Sequence, residues 1–146
     1  MSNEQATDTL NDLLQAECGT LSQHLGECSP FVSMLTAEDG ALLKGIAVDS
    51  RVNQRALADL ILKLRGSPRP GHIPTELGGV HYLTLSYLMP QIIAGFRTLI
   101  AKYESSSGTR SPEADALISR IAAQYRRQLS ELQQRHAELR AVAPAH

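Results

Sequence analysis

Apolar positions recur at alternating steps of three and four along four stretches of the chain. That spacing keeps one stripe of a helix against its neighbours. The first stretch gives Leu10, Leu14, Glu17, Leu21, His24 and Cys28, and the second gives Asp39, Leu43, Ile46, Ser50, Asn53, Leu57, Leu60 and Leu64. The third gives Tyr82, Leu85, Met89, Ile92, Phe96, Leu99 and Tyr103. The fourth gives Ile118, Ile121, Tyr125, Gln128 and Leu132, then Arg135 or its neighbour His136, and ends at Leu139. No alternating stretch suggests a strand. The pattern predicts an all-α chain of four long helices.

Breakers set the bounds at about 5–28, 36–65, 76–104 and 112–140, with 141–146 as a frayed tail and all 146 residues in one domain. Pro30 stops the first helix, because it cannot continue an α conformation. Thr36 caps the second, with Asp39 in its first turn, and Gly66 ends it. Ser111, Pro112 and Glu113 together make a strong start for the fourth.

Composition narrows the class. The net charge of −1 leaves no electrostatic footprint for nucleic acid. The opening residues are polar and acidic, without the basic start and apolar run of a targeting segment, so a cytoplasmic location is expected. The most apolar run, LTLSYLMPQIIAGFRTLIA, contains Pro90, Gln91 and Arg97. It reads as a core helix, and no membrane insertion is expected. Cys18 and Cys28 on one helix would lie roughly 15 Å apart, too far to pair, and read as buried thiols.

Three of the four seams carry polar residues near their midpoints. Helices of similar length put Glu17, Ser50, Asn53, Met89, Tyr125 and Gln128 at one height, as a central polar layer. This resembles the ferritin-like carboxylate bundles, in which two helices each give one Glu and two each give Glu-x-x-His to hold a pair of metal ions. The phrase ALADLILKLRGSPRPG is similar to the leucine-rich end of the second helix in bacterial members of that family. The resemblance implies a ferritin-like four-helix bundle with a crossover between helices 2 and 3. By position, Glu17 keeps its carboxylate, Ser50 and Asn53 replace one Glu-x-x-His, Met89 replaces the third helix's Glu, and Tyr125 and Gln128 replace the second Glu-x-x-His. One carboxylate stands where four are expected, too little anionic charge for two divalent ions. The layer then reads as a mostly lost metal site or as polar groups that fix helix register. Under the register reading Glu17 should accept hydrogen bonds from Tyr125, Asn53 or Gln128, and with neutral partners its pKa should be raised.

Other features widen the possibilities. An extended chain from Gly66 to Gly79 spans on the order of 40 Å, enough for the crossover. With it, His24, Asp39, His81 and His136 gather at one pole as a candidate single-metal cluster. Pro90 beside Met89 should bend the third helix at the layer. Phe31, Val32, Met34 and Leu35 form an apolar patch that covers the core end or docks a partner. Glycines at 19, 26, 45 and 95 suggest close helix contacts.

The expected function is non-catalytic association with protein, as a homodimer, assembly subunit or adaptor, with no cofactor. The alternative is a metal-dependent oxidoreductase or metal-storage protein using iron, manganese or zinc. A further alternative is a small-ligand carrier.

Overall fold

The computed structural model describes residues 2–18, 37–70 and 85–142. They form four helices: α1 (Ser2–Cys18), α2 (Ala37–Lys63), α3 (Leu85–Ser105) and α4 (Pro112–Val142). Each buries the predicted stripe. Leu10, Leu14, Leu43, Ile46, Leu57, Ile92, Phe96, Leu99, Ile118, Ile121 and Leu132 lie in one apolar core. Cys18 is a buried thiol beside them, as expected, and its Sγ donates to Gln54 Oε1 at 3.4 Å. Cys28 lies outside the described residues.

The contacts set the connectivity. α1 packs along α2 and α3 along α4, while α1 also meets α3 and α2 meets α4. This leaves α2 and α3 at diagonal corners. Lys63 at the end of α2 reaches Glu113 at the start of α4, and Asp49, earlier in α2, bonds Gln128, later in α4, so these two helices run antiparallel. α3 and α4 are joined by the short connection 106–111 and form an antiparallel hairpin. α3 therefore runs in the direction of α2, and the two require the long crossover expected from the sequence.

Local chemistry explains the ends. Ser111 Oγ accepts the Ala114 amide at 3.3 Å, the predicted cap of α4. Asp115 Oδ1 accepts from the Gly108 and Thr109 amides and from the Thr109 hydroxyl, which ties the connection to the helix it precedes. Those bonds, led by the Thr109 amide, hold the Asp115 carboxyl below its ordinary pKa.

At the end of α2, glycine is used differently from the expectation. The left-handed residue is Arg65, with φ 67°, while Gly66 follows it and its amide bonds the Ile61 carbonyl at 2.8 Å. This is the Schellman arrangement with arginine where glycine is usual. Gly66 is needed for space: a Cβ there would stand 2.7 Å from Thr7 Cγ2 on α1. Gly45 and Gly95, in contrast, have nothing among the described residues within 4 Å of an added Cβ.

Among the described residues, no helix is long and apolar enough to cross a membrane.

Candidate functional site: a buried carboxyl held from four helices

Glu17 is wholly buried in the apolar interior. Burial pushes its carboxyl above the ordinary value of 4.5, against the pull of hydrogen bonds from Tyr103, Tyr125 and Ser50. Tyr103 donates its hydroxyl to Oε1 at 2.5 Å. Tyr125 donates to Oε2 at 2.5 Å and Ser50 to the same oxygen at 2.7 Å. Each of the four helices contributes one of these groups: Glu17 from α1, Ser50 from α2, Tyr103 from α3 and Tyr125 from α4.

The phenols are held as donors. Burial raises the pKa of both well above the ordinary tyrosine value, and the nearby Glu17 charge adds to it. Their rings also stack the layer: Phe96 meets Tyr125 edge-on at 5.2 Å and 88°, and Tyr103 lies 6.1 Å from Tyr125. The Gln54 side-chain amide donates to Ser50 Oγ at 3.4 Å, extending the network outward towards Cys18.

Two other members of the predicted layer stand at its edge. Gln128 Nε2 donates to Asp49 Oδ2 at 2.8 Å instead of to Glu17. Among the described residues the buried Gln128 Oε1 has no hydrogen-bond partner, while Asn53 is buried beside Tyr125. Among the described residues, the hydrogen bonds that reach the carboxyl come from hydroxyls. An O–H donor approaches closely enough to meet the desolvation cost of a group that is charged or shares its proton.

Met89 does not join this set. It is buried in the core about 21 Å along α3 from Tyr103, the α3 residue that reaches Glu17. The reason is axial displacement. The connection 106–111 carries the chain from the end of α3 to the start of α4, so the α3 residues that face Tyr125 are Phe96 and Tyr103. Pro90 is exposed and sits about four turns from the layer, so it does not shape this site. Tyr103 lay on the third seam in the sequence, but nothing local marked its height.

The pole cluster falls largely outside view. His24 and His81 lie outside the described residues, as does the side chain of Asp39. His136 is half-buried, and its Nδ1 has no hydrogen-bond partner among the described residues. Among the described residues no group of three or more His, Cys, Asp or Glu could hold a metal ion. The patch of Phe31, Val32, Met34 and Leu35 also lies outside the described residues.

The layer does not fit a two-metal carboxylate set. Two Glu and two Glu-x-x-His are needed, whereas here Glu17 accepts three hydroxyls and Asp49 is bonded to an amide at the layer's edge. Serine and tyrosine hydroxyls and asparagine and glutamine amides cannot replace the missing anionic oxygens.

No protein-family model and no curated protein sequence matches the chain. Among solved structures it is similar to the bacterioferritin of Desulfovibrio desulfuricans, described with its diiron site in different catalytic states. The TM-score is 0.81 at 17% sequence identity, over 97% of this chain and 83% of that one. The expectation of a bundle without a cofactor is overturned by this likeness, because the same architecture holds iron in that protein. Shape, connectivity and this similarity agree: the chain is a ferritin-like four-helix bundle.

Proposed function

We propose that the chain is a non-catalytic ferritin-like bundle that acts through protein association, as a homodimer, an assembly subunit or an adaptor. The observation that carries this reading is on α2. Val48, Val52 and Leu62 are 48%, 57% and 59% exposed, and all three project from the helix face opposite the core. Large apolar groups gathered on one outward stripe favour contact with another protein surface. Bundles of this fold also commonly assemble into oligomers.

The interior supports the same reading. The hydroxyls of the central layer are directed at Glu17, and the phenols stay protonated near neutrality. Its four-helix hydrogen bonding suits a register lock, in keeping with a mostly lost metal site.

Light scattering on the full chain across concentration tests the proposal. A mass that rises above the 15.9 kDa monomer with concentration is expected. A second reading, a metal-dependent oxidoreductase or metal-storage protein, draws on the diiron neighbour. Stoichiometric iron, zinc or manganese lost in Glu17→Ala would favour it over association.

A further inference from the structure

We propose that Asp49 and Gln128, which meet between α2 and α4 at the edge of the Glu17 layer, bind a primary ammonium group. Such a site is independent of protein association. Gln128 is 8% exposed and its Nε2 donates to Asp49 Oδ2 at 2.8 Å, while its Oε1 has no hydrogen-bond partner among the described residues. A buried carbonyl oxygen without a donor is costly, and a ligand that brings one removes the cost.

Charge decides what kind of donor fits. Asp49 is half-buried and has no ion-pair partner among the described residues. The Gln128 Oε1 atom lies across one carboxamide from the nitrogen that touches Asp49, so it stands within about 5 Å of that carboxylate oxygen. One nitrogen about 2.9 Å from each oxygen bridges that gap. The carboxylate lacks a positive charge and the amide oxygen lacks a hydrogen, and an ammonium nitrogen supplies both. Calcium takes about 6–8 oxygens and magnesium a near-octahedral set, whereas a primary ammonium carries only three N–H donors. The two Asp49 oxygens and Gln128 Oε1 match that smaller number.

The site is reached from one side. Gly45, one turn before Asp49, is exposed, and an added Cβ there would meet nothing within 4 Å among the described residues. Asn53, one turn after Asp49, is buried beside Tyr125, so the Glu17 layer bounds the site in that direction.

Nuclear magnetic resonance of the full chain tests this through the Gln128 side-chain amide, assigned by its loss in Gln128→Met. Methylammonium chloride should shift that signal saturably, with a dissociation constant on the order of 10 mM, the ceiling for so small a ligand. Tetramethylammonium has the same charge but no N–H group, and it should leave the signal in place. Asp49→Asn should raise the constant by at least about 10-fold, with its helicity by circular dichroism unchanged. Tighter binding of Nα-acetyl-lysine amide than of methylammonium would assign the site to a protein side chain, and the reverse order to a free amine. Equal shifts from methylammonium and tetramethylammonium, no saturation up to about 100 mM, or undiminished binding in Asp49→Asn would each overturn the site and leave the association reading standing.

Discussion

Tyr103 and Glu17 lie 86 residues apart in the chain and 2.5 Å apart in the bundle, hydroxyl to carboxyl. With Tyr125 and Ser50 they make one hydrogen-bonded knot that ties all four helices at one level. A donor removed from such a knot leaves a buried carboxyl under-satisfied. Tyr103→Phe and Tyr125→Phe should therefore each destabilise the fold by about 1.5–3 kcal/mol, the range for hydrogen bonds to a charged acceptor. Denaturant midpoints of the single and double variants measure this. The two losses should be non-additive, since both phenols bond one acceptor.

Glu17 gives the pH dependence its sign. Its folded pKa is raised above the ordinary 4.5, so the native state holds the proton more tightly than the unfolded chain does. That contribution is complete below the ordinary value and is lost as pH rises through the raised one. The stability of the wild type relative to Glu17→Gln should fall as pH climbs from 4.5, with a slope of at most about 1.4 kcal/mol per pH unit. Paired urea titrations across that range test it; a difference that grows with pH would show the opposite sign.

The end of α2 separates two roles usually given to one glycine. Arg65→Gly should stabilise the protein by about 1 kcal/mol, because the left-handed conformation at φ 67° costs an L-residue that much. Gly66→Ala should destabilise it by about 1–3 kcal/mol, as its Cβ meets Thr7. Thermal midpoints of the two variants should move in opposite directions.

Asn11 fastens the chain where it leaves α2 for the crossover. Its Nδ2 donates to the Ser67 carbonyl at 3.1 Å, and its Oδ1 accepts the Arg69 amide at 2.7 Å. Asn11→Ala should cost about 1–2 kcal/mol and speed hydrogen exchange at the Arg69 amide specifically. Unchanged exchange there would mean that other contacts hold the segment.

Much of this architecture was legible in the sequence, and the reasons are physical. Period and punctuation depend on local chemistry, so the four seams, the Ser111 cap and the polar positions Glu17, Ser50, Tyr125 and Gln128 could be read directly. Axial height was harder, since it depends on how far a connection carries the chain before the next helix starts. That is why Met89 was expected where Tyr103 stands. Donor identity was harder too: Tyr103 and Ser50 reach Glu17, while Gln128 turns to Asp49, a residue no periodicity singles out. The role of Gly66 depends on Thr7, a contact between α1 and α2 that sequence spacing does not reveal.

The central claim is that the protein works through its outer surface while the Glu17 layer fixes the fold. Sedimentation equilibrium of the wild type beside Glu17→Gln and Val52→Asp tests that division most directly. At about pH 4.5, Glu17→Gln should associate as the wild type does while losing stability, and Val52→Asp should keep its stability and lose association. Association that disappears in a folded Glu17→Gln and persists in Val52→Asp would contradict the account.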